Sequence, residues 1–266
     1  MKEMDLAGLV DQTFGPRNLW VSPDGVADFV EATGDDPKRW VTAAPPGFMS
    51  VALFAVAPDL LGLLYEHSVI HGEQSFTWEG AVSVGTELTV TGRVTRARER
   101  GGVHFITFEM EAADEEGRVA TGSALFLAAG ESAPTSAEHE RTEPEATDRG
   151  DPANDQLSAS RSDLIRYAAA TRDWNPIHWD HNSAVAAGLP GVVVHGLLQG
   201  SWALRHATLG ADGDRPLAAA RIRFRSPLLP ANPVTVTSNQ DGSTMTISLS
   251  DDESEYLSAR IELARE

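Results

Sequence analysis

The chain has 266 residues, a formal net charge of -18 and no cysteine. That charge excludes a protein that grips nucleic acid through its phosphates, and the missing thiols exclude disulfides, thiolate nucleophiles, iron–sulfur clusters and cysteine-ligated zinc. With 41% apolar and 23% charged residues it falls in the globular range, and its length suits one large domain or two of roughly 130 residues.

Met1 to Leu9, with Glu3 and Asp5, lacks the basic-then-apolar order of a signal segment. No apolar run approaches the roughly 20 residues of a spanning helix, so the chain reads as soluble and cytoplasmic, with no membrane partner. Ser22 to Asp35 (SPDGVADFVEATGD) starts with a capping serine and spaces its apolar residues as an amphipathic helix does. Pro45 to Ala57 (PPGFMSVALFAVA) is apolar on most sides and is the candidate for an enclosed helix. From His71 onward come long strand-like runs, among them Glu87 to Val94 (ELTVTGRV), the polar turn Asp114 to Gly117, and a closing strand VATGSALFLA.

Gly130 to Gln156 contains no Ile, Val, Leu, Met or aromatic residue and carries eight acids against two arginines. Such a segment cannot bury enough apolar surface to fold and reads as an acidic linker, dividing the chain into units 1–129 and 157–266. The second unit repeats the first. Ser160 to Asp173 (SRSDLIRYAAATRD) aligns without gaps on Ser22 to Asp35, setting Tyr167 on Phe29, Thr171 on Thr33 and Asp173 on Asp35. His195 to Leu209 (HGLLQGSWALRHATL) supplies its apolar helix; PVTVTSNQ answers ELTVTGRV, and Asp251 to Ser254 answers the turn at Asp114. Each half reads helix first, then antiparallel strands, an α+β pattern.

Arg172 to Asp180 (RDWNPIHWD) is the densest polar cluster. The residue before a proline is pushed out of the helical region, so Asn175-Pro176 ends the preceding helix and leaves Asp173, Asn175 and His178 on a turn. A carboxylate and an imidazole five residues apart are the parts of a general acid/base pair sharing one water; taken singly, Asp173 and Asn175 also suit turn capping and His178 a surface histidine. His195-Gly196 opens the apolar helix, whose first unpaired N–H groups can stabilise an anion. His178, Asp180 and His181 lie close in sequence, but no His-x-x-x-His spacing marks a metal site.

Tyr167 to Leu198 (YAAATRDWNPIHWDHNSAVAAGLPGVVVHGLL), with its Asp-x-Asn-Pro-x-His and His-Gly elements, resembles the MaoC-like, (R)-specific enoyl-thioester hydratases and 3-hydroxyacyl-thioester dehydratases. His71 to Gly102 resembles the partner domain of their fused, double-hot-dog members. The resemblance implies two hot-dog domains, each a long central helix wrapped by an antiparallel sheet. It implies Asp173 and His178 as the catalytic pair, the Gly196 N–H as oxyanion donor, and Asn175 and His195 as residues of the substrate site. No metal or separate cofactor is implied; coenzyme A or phosphopantetheine enters as part of the substrate. The first half sets Trp40 where His178 stands, so it is expected to shape the acyl pocket without transferring protons.

RIRFR, on a strand, puts Arg221, Arg223 and Arg225 on one face. That face reads either as a contact for coenzyme A or carrier-protein phosphates or as a salt-bridged strand surface. A hot-dog thioesterase and a non-catalytic acyl-binding or scaffold subunit are the alternative functions, and a homodimer is compatible with the fold.

Overall fold

The computed structural model describes residues 6–64, 67–129 and 156–265. The acidic segment read as a linker, Gln156 apart, lies outside the described residues. A short helix α1 (Leu6–Leu9) leads to β1 (Thr13–Trp20) and α2 (Pro23–Thr33). Then come α3 (Met49–Leu63), β2 (Ser68–Trp78), β3 (Glu87–Arg100), β4 (Val103–Ala113) and β5 (Arg118–Ala129). The second half runs β6 (Gln156–Leu157), α4 (Arg161–Thr171), α5 (His181–Ala186), α6 (Gly196–Thr208), β7 (Leu217–Phe224), β8 (Val234–Asp241), β9 (Thr244–Ser250) and β10 (Glu255–Leu263).

The repeat holds down to single hydrogen bonds. Ser22 caps α2 by accepting the Gly25 N–H at 3.0 Å, and Ser160 caps α4 through a reciprocal box with Asp163. The Thr33 hydroxyl donates to the Phe29 carbonyl at 2.9 Å, as the Thr171 hydroxyl does to the Tyr167 carbonyl at 2.7 Å. Both helices end in a left-handed residue, Gly34 with φ 68° and Arg172 with φ 65°. The two helices pack together, with the Phe29 and Tyr167 rings 6.2 Å apart.

Each half wraps its sheet around an apolar helix, α3 or α6. Pro46–Leu63, a 3₁₀ turn running into α3, has a mean hydropathy of 1.6 over 18 residues, which corrects the expectation that no apolar run nears spanning length. Its apolarity has a local cause, since 67% of the segment is buried inside the fold. The ten strands form one sheet in the order β1-β3-β4-β5-β2-β7-β10-β9-β8-β6. Reading outward from the β2–β7 centre, β7 answers β2, β10 answers β5, β9 answers β4, β8 answers β3 and β6 answers β1. This is the double hot-dog architecture that the sequence resemblance implies.

The seam between the halves is antiparallel and short, pairing Glu73 through Thr77 of β2 with Arg223 through Ala219 of β7. On its other side β2 pairs with β5 from Ser68 to Trp78, with a bulge between His71 and Glu73. Residues Ser68 to Gly72 therefore overhang the end of β7, and the sheet opens at that point. Glu73 grips both arginines across the seam, with Arg221 Nε donating at 2.8 Å and Arg223 Nε at 2.9 Å. Burial alone would raise the Glu73 carboxyl, but the two guanidinium groups outweigh it and lower its pKa.

Candidate active site

Asp173, Asn175, His178 and Gly196 converge where the sheet opens. Asn175, in extended backbone before Pro176, caps a 3₁₀ turn (Pro176–His178) by accepting the Ile177 N–H through Oδ1 at 3.3 Å, and its own N–H reaches Asp173 Oδ1 at 3.4 Å. Arg172, one residue earlier, is held with positive φ, a conformation that costs a residue with a Cβ roughly 1–2 kcal/mol. The resulting sharp turn sends Asp173 inward while Arg172 and Trp174 stay exposed.

Asp173 and His178 are each only 8% exposed, and with His195 they place one polar atom apiece within 4.8 Å of one another. Burial, opposed by the Asn175 N–H, pushes the Asp173 carboxyl up to about 7. Burial also pushes His178 down to about 4, against a hydrogen bond to the Val193 carbonyl. His178 is therefore neutral at pH 7; Nδ1 donates to Val193 O at 2.8 Å, which leaves Nε2 as a proton acceptor. A neutral base beside a carboxyl poised near neutrality can accept and return a proton.

His195 is fully buried and does not line the cavity described below, which corrects its assignment as a substrate-contacting residue. Its ring stacks on His178 with centroids 3.7 Å apart, and Nε2 bonds the Asp173 carbonyl oxygen at 3.2 Å. It thus braces both members of the pair from behind. Burial, helped by the neighbouring His178, holds its own pKa well below the usual range. Sequence spacing does not reveal that Asp173, His178 and His195 form a metal-sized cluster. The two imidazole planes are only 22° from parallel, so an ion between the two rings would lie out of both ring planes, where nitrogen lone pairs do not point.

Gly196 is the first residue of α6, and its N–H has no acceptor within the helix. A Cβ at this position would meet the Phe224 ring at 3.0 Å, so the close approach of helix to strand requires glycine. Asp173, Asn175, His178 and Gly196 all line one cavity of about 290 Å³. Its opposite wall comes from the first half, from Phe54, Leu61, Val69, His71, Phe126 and Leu127. Sequence reasoning did not identify these residues individually; α3 supplies Phe54 and Leu61, the overhanging end of β2 supplies Val69 and His71, and β5 supplies Phe126 and Leu127.

Of the three arginines, only Arg225 lines this cavity. Arg221 and Arg223 are exposed and both pair with the one carboxylate of Glu73, a salt-bridged strand surface that keeps one net positive charge. Trp174 and Trp179 stand half out in solvent, while Trp202 packs into the core.

At the pseudo-symmetric position Asp35 follows α2 as Asp173 follows α4, but Trp40 is buried in the core under the Arg39 guanidinium, 4.6 Å from the ring centroid. It does not line the acyl-side cavity, so packing and not tunnel lining is its structural role. The corresponding gap between Pro46, Trp78 and Leu217 holds only about 10 Å³.

Comparison with known proteins finds dehydratase families in both halves. Residues 139–254 match the MaoC like domain, and residues 10–122 match the FAS1-like, dehydratase domain region. A UPF0336 protein of Streptomyces griseus is 27% identical over 138 residues, 45% of this chain and 91% of that protein. The mitochondrial 3-hydroxyacyl-[acyl-carrier-protein] dehydratase of Arabidopsis thaliana is 34% identical over 79 residues, 30% of this chain and 47% of that protein. The crystal structure of HtdX from Mycobacterium tuberculosis superposes with a TM-score of 0.73 at 21% identity, covering 95% of this chain and 100% of that one.

Proposed function

The chain is a MaoC-like dehydratase domain preceded by a FAS1-like dehydratase region, and from that premise we propose that it adds water reversibly to trans-2-enoyl thioesters, giving (R)-3-hydroxyacyl thioesters. The observation that carries this reading is the buried Asp173–His178 pair at a cavity whose far wall is apolar and belongs to the other half. Asp173 and His178 hold a water between a carboxyl and a neutral imidazole. One of them takes a proton from that water as its oxygen bonds C3. The electron pair of the double bond moves toward the thioester carbonyl, whose growing negative charge is met by the Gly196 N–H and the positive end of α6. The pair then delivers a proton to C2, so it returns to its starting charge, and dehydration is the reverse path.

No metal takes part in this scheme, and coenzyme A or a carrier-bound phosphopantetheine belongs to the substrate. The (R) hand is taken from the family resemblance. The first half acts as a wall for the acyl chain and transfers no proton. Incubation with short and medium enoyl thioesters, followed by chiral chromatography, tests the whole reading. Formation of (R)-3-hydroxyacyl thioester is the expected result; release of free acid would identify a thioesterase, and no turnover of any chain length would leave an acyl-binding protein.

A further inference from the structure

At the outer edges of the sheet the two halves differ in length. β1 and β6 hold equivalent places: Leu19 pairs with Leu88 as Leu157 pairs with Val234, and two residues on, Val21 and Ala159 are both buried. β1, however, runs from Thr13 to Trp20 and its pairing with β3 reaches Arg93, whereas β6 is Gln156–Leu157 alone. Among the described residues, Val236 to Asp241 of β8 therefore pair with β9 on one side and with no strand on the other. In the first half the extra length of β1 lies over α3: a Cβ on Gly15 would stand 3.2 Å from the Val56 side chain, and Phe14 is buried with its ring 5.6 Å from that of Phe108. In the second half the corresponding place, beside β8, is a groove of about 680 Å³ lined by Leu198 and Trp202 of α6, Leu209 just past it, Val30 of α2 and Val236 of β8.

Edge N–H and C=O groups beside an apolar groove are what an extended peptide uses to bind: the ladder holds its backbone, and every second side chain drops into the groove. Residues 130–155 contain no Ile, Val, Leu, Met or aromatic residue, so the chain just before β6 has nothing to stand where Phe14 stands. Those residues do bring eight acids against two arginines up to the edge of the groove. The groove adds exposed Glu31 and half-buried Asp35, while its Arg205 is engaged by the Gly34 carbonyl. We propose that β8 takes an added strand from a partner protein, an extended and net-basic segment with apolar side chains at alternate positions, running antiparallel to β8 as β1 runs to β3. No residue lines both this groove and the acyl cavity, so the proposal is independent of the reaction assigned above.

Three fluorescein-labelled octapeptides provide the test, each titrated into the full chain by fluorescence polarisation. The first alternates Phe, Val or Leu with Lys or Arg; the second has Glu in place of the basic residues; the third holds the residues of the first in one apolar and one basic block. The first peptide should bind, and the other two should bind about tenfold more weakly or not at all, because one is repelled and the other cannot place its apolar side chains in the groove. Glu31→Lys and Leu209→Ser, both at exposed positions where folding is not at stake, should each weaken the first peptide. Equal binding of the first and third peptides, or an affinity unchanged in both variants, would overturn the proposal. Hydrogen exchange through β8 separates the occupants. Edge amides between Val236 and Gln240 should exchange fast in the protein alone and slow when the first peptide is added. Protection already present in the dilute protein would mean that the chain covers its own edge, and protection that grows with protein concentration would mean a second copy; either result overturns the proposal.

Discussion

At one end of the shared sheet Asp173, His178 and the start of α6 face about 290 Å³ of space; at the other end the Pro46–Phe48 turn, which leads into α3, adjoins a gap of about 10 Å³ that neither Asp35 nor Trp40 lines. The framework is the same at both ends, with a capped helix, a left-handed residue, an aspartate and then an apolar helix. What differs is how each end treats its buried polar groups. The open end keeps a carboxyl and two imidazoles where burial disfavours their charged forms. The closed end has replaced the imidazole by an indole. There Arg39 donates to the carbonyls of Thr208, the last residue of α6, and Ala211 beyond it, and Arg205 donates to the Gly34 carbonyl beyond α2, each meeting the negative end of the other half's helix. One end holds titratable groups against their charged forms, and the other fills the matching position with a packed indole.

The sharpest way to break this contrast is at the open end. Asp173→Asn and His178→Ala should each lower enoyl-thioester hydration by about a hundredfold or more, and the double variant should be little worse than either single one. Steady-state rates on folded protein decide this, and near-normal turnover in either single variant would remove that residue from the mechanism.

Stability carries the next effect. Trp40→Ala opens a hole in the first half's core and should cost about 3–5 kcal/mol by denaturant unfolding while the chemical step survives. Trp40→His should not create a second active site, because the space beside it is filled. Two titrating active centres in that variant would show that the closed end had lost only a side chain.

A smaller effect concerns pH. The Asp173 carboxyl has a folded pKa of about 7 against an ordinary value of 3.8, so between those values the folded state binds more protons than the unfolded one. Its contribution to stability is present at low pH, fades as pH rises through that window, and levels off above about 7. His178, lowered to about 4 from 6.5, works the other way: its site loses stability as pH falls from 6.5 toward 4. Asp173→Asn should therefore be more stable than the parent at pH 8, with the advantage shrinking toward pH 4, in melting curves recorded across that range. A variant that gains nothing at pH 8 would mean that the carboxyl is not held against its charge.

The least effect is expected at Asp35→Ala. That residue is half-buried, and burial raises its carboxyl against the Asp36 amide and the pull of Arg205 and Arg39, but it has no imidazole beside it. Hydration should continue at a near-normal rate, and a collapse of turnover with folding intact would move the active end to the first half.

Much of this asymmetry is legible in the sequence because it is local. Capping serines, the Asn175-Pro176 break and the His195-Gly196 helix start each act within a few residues, and the substitution of Trp40 for His178 can be read from a gapless alignment. What is not legible depends on distance along the chain. His195 stacks on a ring 17 positions earlier in the sequence, Glu73 disarms arginines about 150 residues away, and His71 enters the cavity only because β2 outruns β7. No periodicity encodes such meetings. They follow from the topology of the sheet, which is why two of the three arginines in RIRFR meet a carboxylate from the other half while Arg225 lines the cavity.

The five paired positions between β2 and β7 also decide what the molecule can survive without. Separated, each half would present that strand as a bare edge, a row of unsatisfied N–H and C=O groups able to recruit any extended segment it meets. The second half alone would keep Asp173 and His178 yet lose the far wall of its cavity, so it would be both sticky and open to bulk water. Neither half is a portable module. Transplanting the Asp173 turn into another protein would require carrying the foreign strand that lies beside it.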